Sequence, residues 1–175
     1  MKILIAYDSK TGTARECAEM LAGHFKGHTA DVFDLRQGIP ALDRYDLAVI
    51  GGSVRMGKLP KAMSRFIKEE KDAIEKISHA FFICCCISEN AENYMRRGIP
   101  CELFESAVVA DNFGGELRPE RHRGLEKLFV ALARKNIQGG NSVDYPNEFK
   151  TMPAILPDSI SAFADKIKKS FAEKQ

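Results

Sequence analysis

The sequence contains no tryptophan, and its five cysteines are odd in number, with three adjacent at Cys84, Cys85 and Cys86. An odd count without a Cys-x-x-Cys spacing does not describe a disulfide framework. Neighbouring residues of a strand point to opposite faces, so these three thiols cannot converge on one tetrahedral metal; they read as small buried side chains. No cysteine stands six positions before an arginine, which excludes a phosphatase loop of the Cys-x5-Arg type. His24, His28, His79 and His122 show no metal-ligand spacing, so no metal is expected. No apolar run approaches the ~18 residues of a membrane span, and a strand pattern starting at Lys2 leaves no room for a secretory leader. The formal net charge is only +2, too small to argue for nucleic acid. A reducing cytoplasm is the expected compartment.

Phosphate signatures rich in glycine are missing too. A P-loop needs Gly-x-x-x-x-Gly-Lys-Ser/Thr and a dinucleotide fold needs Gly-x-Gly-x-x-Gly; neither occurs in the first turn. What stands there is Ser9-Lys10-Thr11-Gly12-Thr13, between the apolar run Lys2–Tyr7 and a helical stripe of Cys17, Met20, Leu21, His24 and Phe25. A hydroxyl-rich turn at the positive end of a helix suits an anion, and with one glycine it suits the terminal phosphate of a mononucleotide. The plainer alternative is a polar helix cap supplied by Thr11 or Thr13.

Further along, Ala30–Leu35 alternates like an edge strand, Asp46–Gly52 and Ala80–Ile87 are buried strands, and a fifth strand is expected within Leu103–Asp111. Leu59–Ile77 reads as one helix with Met63, Phe66, Ile67, Ile74 and Ile77 inward. Asp158–Phe171 reads as the last helix, with Ile160, Phe163, Ala164 and Ile167 on one face. Strands alternating with helices over 175 residues predict one α/β domain. A receiver domain, a non-enzymatic alternative on a similar sheet, would need an Asp ending strand 3 and a Lys ending strand 5; Gly51-Gly52 and Asp111-Asn112 stand there instead.

The motif Tyr7-x-Ser9-x-x-Gly12 resembles the flavodoxin signature, with Ala14 where that family has its last threonine. The resemblance implies a five-stranded parallel sheet of order 2-1-3-4-5 and a site beyond the carboxyl ends of strands 1, 3 and 4. It implies FMN as cofactor. Ser9, Lys10, Thr11, Gly12, Thr13 and Ala14 would surround the phosphate. Ser53, Val54, Arg55, Met56 and Gly57 would lie along one side of the ring, with Val54 and Met56 giving apolar contact and Arg55 a positive charge near N1. Cys86, Ile87 and Ser88 would form the next turn, and Tyr94 would either stack on the ring or pack at a helix start. Freely diffusing flavodoxins are strongly acidic, so a net charge of +2 fits a dedicated oxidoreductase better than a general carrier.

The stretch 113–150 is an insertion before the last helix. Leu125, Leu128, Phe129 and Leu132 form a helical stripe, flanked by Arg118, Arg121, Arg123, Lys127, Arg134 and Lys135, and Gly139-Gly140 ends it. With Val49–Gly57 and Gly115-Glu116-Leu117-Arg118, this order is similar to that of the flavodoxin-type protoporphyrinogen oxidases. That resemblance implies porphyrinogen oxidation with electrons passing to menaquinone. The partners to expect are a redox protein, a quinone or a small substrate. The 118–138 helix is the candidate surface for peripheral contact with the inner membrane face, for a second subunit, or for packing on its own domain. A flavin-free binding module is the remaining reading from another class.

Overall fold

The computed structural model describes residues 1–116, 118–121, 124, 127, 128, 130–132, 135 and 153–173. Five parallel strands, β1 (Lys2–Asp8), β2 (Thr29–Asp34), β3 (Leu47–Ser53), β4 (Ser78–Cys84) and β5 (Ala110–Asn112), lie in the order β2-β1-β3-β4-β5. Burial follows from that order. The three inner strands are buried along nearly their whole length because helices cover both faces. On the edge strand β2, Ala30 and Phe33 are only half-buried and Val32 is exposed, so the alternation expected there is not reproduced.

Alternate residues of β1 feed two separate cores. Ile3, Ile5 and Tyr7 pack with α1 (Thr13–Gly23) and the last helix, α6 (Pro157–Ala172). Leu4 and Ala6 face the other way, towards α2 (Lys61–Glu69), α3 (Lys71–Glu75), α4 (Ala91–Gly98) and α5 (Cys101–Ser106). Cys84 lies in the first core and Cys85 in the second, the opposite faces expected of strand neighbours. All four residues expected on the inner face of α6 are buried, and Pro157 starts it without wasting an amide donor.

Several boundaries differ from the sequence reading. The stripe of α1 is Ala14, Cys17, Ala18 and Leu21, continued by Phe25; Met20 is exposed and His24 follows the helix end. The expected helix over Leu59–Ile77 is two, broken at Glu70 (φ −105°, ψ 18°), and Ile77 is only half-buried. Ile67 and Ile74 are in phase across the break, so the apolar pattern cannot reveal it. Strand β4 stops at Cys84, three residues before Ile87. Much of the stretch expected to hold the fifth strand is α5, which buries Leu103 and follows Pro100; β5 itself is Ala110–Asn112. His79 joins these pieces: its Nδ1 lies 3.1 Å from Ile74 O and its Nε2 3.0 Å from Leu103 O.

The expected amphipathic helix over 118–138 begins differently. Pro119–Arg121 form a single 3-10 turn, whereas residues 127, 128, 130–132 and 135 are helical. Leu117, Arg123, Leu125, Phe129, Arg134, Gly139 and Gly140 lie outside the described residues. The chain leaves the sheet at Gly114, which forms an antiparallel bridge with Ile155; Gly115 N donates to Ala154 O and Leu156 N to Phe113 O. Departure and return thus share one short stem. Among the described residues, no helix is long and apolar enough to cross a membrane.

One close fit holds the centre of the sheet. A Cβ on Gly51 would fall inside the ring of Phe82 on β4. That ring stacks on Phe113 at 4.7 Å, which meets Phe163 of α6 edge-on at 5.0 Å. Gly51→Ala is therefore expected to cost about 1–3 kcal/mol in urea unfolding by overpacking. Phe82→Leu in the same chain should recover part of that loss, a coupling between neighbours; strictly additive effects would contradict the packing described.

Candidate functional site

The parallel register sets three turns side by side. Asp8 pairs with Gly52 and Ser53 with Cys84, so β1, β3 and β4 end within one or two residues of each other, with neighbouring strands about 4.8 Å apart. Asp8 is buried and its Oδ2 accepts a hydrogen bond from Ala62 N at 2.9 Å, tying the end of β1 to the start of α2. Sequence reading missed this residue because the apolar run before it ends at Tyr7.

In the first turn Ser9 is buried and its Oγ accepts a hydrogen bond from Gly12 N at 3.0 Å. Gly12, at φ 96°, adopts the left-handed backbone that favours glycine and stands at the N-cap of α1. Among the described residues no side chain caps this helix, so neither Thr11 nor Thr13 plays the role of the plain alternative. The helix therefore presents uncapped amides and its positive end to whatever lies in front of the turn. Lys10 is exposed, Thr11 half-buried and Thr13 buried. Ala14 is fully buried in the core, so this position serves packing, and only its backbone faces the turn's chemistry.

A charged clasp closes over this turn. Arg118 donates from both terminal nitrogens to the two oxygens of Glu16, at 2.7 Å each, and also pairs with Glu116. Arg121 donates through Nη1 to Glu16 Oε1 at 2.8 Å and to Thr11 O at 3.0 Å. The Arg118 hydrogen bonds, reinforced by Arg121 against the cost of burial, hold the Glu16 carboxyl down at about 2. The sequence left the basic face of this segment open between a membrane, a second subunit and its own domain; Arg118 and Arg121 reach back to α1 of the same domain. An acid in the first turn of a helix that the sequence reads as facing an anion was the available signal, because such an acid calls for a cation from elsewhere.

The second turn is a tight hairpin. Arg55 and Lys58 exchange backbone hydrogen bonds of 3.0 Å, and Met56 (φ 48°) and Gly57 (φ 71°) give the two left-handed residues of a type I′ connection. Met56 sits at its tip with its side chain fully exposed. Val54 is half-buried and its N–H donates to Cys84 O at 2.9 Å. Ser53 Oγ is buried and has no hydrogen-bond partner among the described residues. Tyr94 lies within α4, its ring edge 3.2 Å from the place a Cβ would occupy on Gly57, so it props the hairpin.

The third turn is cross-braced by Asn112, another residue the sequence reading passed over. Its Oδ1 accepts from Cys85 N and Gly114 N, and its Nδ2 donates to Cys85 O and Ser88 Oγ. Ile87 is half-buried beside that brace and Ser88 is exposed. Cys86 packs under Gly115, where a Cβ would approach its N and Sγ to 2.9 Å. Burial, with Cys85 and Glu116 nearby, pushes its thiol up to about 12, so Cys86 is an inert support.

With the geometry in hand, comparison with known proteins is informative. The family model described as Flavodoxin domain matches residues 4–144. Protoporphyrinogen IX dehydrogenase [quinone] of Escherichia coli strain K12 is 29% identical over 155 residues, covering 81% of this chain and 83% of that protein. A Fusobacterium nucleatum flavodoxin bound to flavin mononucleotide superposes with a TM-score of 0.55 at 9% identity, covering 97% of this chain and 99% of that one. A mutant of that flavodoxin, also bound to flavin mononucleotide, gives 0.55 at 10% identity and 97% of each chain. At such identities the structural likeness is one of fold.

Two outcomes follow from the site's own bonds. Glu16 titrates lower when folded than its ordinary 4.5, so its share of stability is present above about 4.5 and is lost as pH falls towards about 2. Urea midpoints of Glu16→Gln should therefore fall less between about pH 5 and about pH 2.5 than those of the parent. Asn112→Ala leaves the N–H and C=O of Cys85 buried without partners, and is expected to cost about 1–3 kcal/mol in the same assay.

Proposed function

Because the chain belongs to the flavodoxin domain family, we propose that it is an FMN-binding oxidoreductase, the phosphate held in the first turn and the ring lying between the second and third. Bound there, the flavin would supply the electron-transfer chemistry, and the protein would need no side-chain acid or nucleophile. The observation that carries the reading is the pairing of an uncapped α1 behind Gly12 with a buried, unpartnered Ser53 Oγ in the adjacent turn. Polar groups so placed cost stability unless a ligand meets them. In this reading the hydroxyls of Ser9, Thr11 and Thr13, the charge of Lys10, and the amides of Thr13 and Ala14 hold the phosphate. Gly12 shapes the turn. Ser53, Val54, Arg55 and Gly57 line one side of the ring, Ile87 and Ser88 the other, with Cys86 and Tyr94 supporting the two turns. The guanidinium of Arg55 would favour the anionic reduced ring.

A narrower reading is favoured by one observation, the similarity to the Escherichia coli protoporphyrinogen IX dehydrogenase [quinone]. On it the donor is a porphyrinogen and the acceptor a quinone. Leu128 and Leu132 are 57% and 47% exposed and lie in the inserted segment, which supports that segment as the meeting place with the acceptor. Anionic lipid at the inner membrane face or a second copy of the chain would meet the same surface.

Freshly purified protein should be yellow and release FMN on denaturation. Thr11→Glu should abolish binding, because an added carboxylate repels and crowds a phosphate that is close to a dianion. FAD should bind much more weakly, as a turn closed on a terminal phosphate has no exit for AMP. Colourless protein that takes up no FMN would leave only the flavin-free binding module. Oxidation of protoporphyrinogen with a quinone present tests the narrower reading, and its absence would leave an FMN oxidoreductase with another substrate.

A further inference from the structure

The first turn has a cation that its own motif does not encode. Arg121, 110 positions beyond Thr11, brings its guanidinium against the turn backbone. Its Cζ lies 3.5 Å from where a Cβ would stand on Gly12, and that Cβ would overlap Nη1. Among the described residues, the side-chain hydrogen bonds of Arg121 are both made by Nη1, to Thr11 O and to Glu16 Oε1. A guanidinium offers five N–H donors in a fixed plane, so Nε and Nη2 retain donors for an acceptor beside the turn.

The charge balance makes that placement consequential. A phosphate monoester carries about −1.5 to −2 at pH 7. Glu16, in the first turn of α1, adds a further negative charge that would oppose it. Arg118 answers Glu16: it is only 18% exposed and engages both carboxylate oxygens. Arg121 is 42% exposed and reaches past Glu16 to the turn. The two arginines divide the work, one neutralising the acid and anchoring the segment, the other facing the ligand position. Ala14 contributes no hydroxyl there, so a charged donor has a contact to make.

We infer that Arg121 is a specificity-determining ligand for the terminal phosphate of the bound mononucleotide, delivered to the first turn by the Arg118–Glu16 clasp. The inference rests on the mononucleotide reading above. It gives the inserted segment a share in holding the cofactor, where the sequence pointed only to partner choice.

The test compares FMN with riboflavin, which has the same ring and ribityl chain but no phosphate. Apoprotein of the parent, Arg121→Ala and Arg121→Lys is titrated with each ligand, with thermal melts as a folding control. Arg121→Ala should weaken FMN by about 10- to 100-fold, the range for a hydrogen bond to a charged group, while riboflavin changes by less than about twofold. Arg121→Lys should recover part of the FMN loss, since it restores the charge without the fork. Added salt should weaken FMN binding more in the parent than in Arg121→Ala. Equal losses for both ligands would overturn the inference, showing that Arg121 only holds the segment down, and so would an unchanged FMN affinity. A parent protein that binds the two ligands equally would instead defeat the phosphate-turn reading itself.

Discussion

Everything at the site depends on the register of three parallel strands. With Asp8 opposite Gly52 and Ser53 opposite Cys84, the chain turns at nearly the same level three times in succession. A slip of one residue would reverse which side chains feed each core, so the apolar packing that stabilises the sheet also fixes the alignment of the turns. Gly51 contributes by having no side chain: Phe82 occupies the space, and the aromatic stack behind it leads to α6. Asp8 and Asn112 then lock the ends, one to α2 and the other between β4 and the chain leaving β5.

The electrostatics of the first turn show a different economy. An acid near the start of a helix is favourable for the helix alone, because it complements the macrodipole. On the proposed reading, the same acid would oppose the phosphate at that end. Arg118 and Arg121 reconcile the two demands without removing the carboxylate, and in doing so attach the segment after β5 to the turn after β1. Glu16 is thereby part of the tertiary structure more than of its own helix.

The features legible in the sequence were those with a local cause. Unbroken apolar runs marked β1, β3 and β4, because burial on two faces leaves a direct trace in composition; β2 was found as a strand, but its sequence alternation did not foretell that Val32 is exposed. The first turn was legible because its hydroxyls and its single glycine are contiguous. The break at Glu70 was not, since it leaves Ile67 and Ile74 in phase. Cys101–Ser106 was mistaken for the approach to a strand because its few apolar residues fit either period, and only Pro100 hinted at a helix start. Arg118 and Arg121 were visible as a basic cluster, but their partners lie 102 and 105 positions away, a distance over which pattern carries no information. Asn112 was hidden for the same reason: an amide that braces a turn from the next strand looks like any polar residue at a strand end.

The stem at Gly114 and Ile155 has a consequence for how this chain tolerates change. Because the excursion begins and ends at one bridge, its length enters the folding equilibrium only through loop closure, at about 0.6 kcal/mol for each doubling. Arg118 and Arg121 follow the outgoing side of that bridge within seven residues, so the clasp on Glu16 is set close to the point where the chain leaves the sheet. The sheet is in that sense a socket. The excursion can grow or shrink at little cost in loop closure while both its ends stay on the sheet.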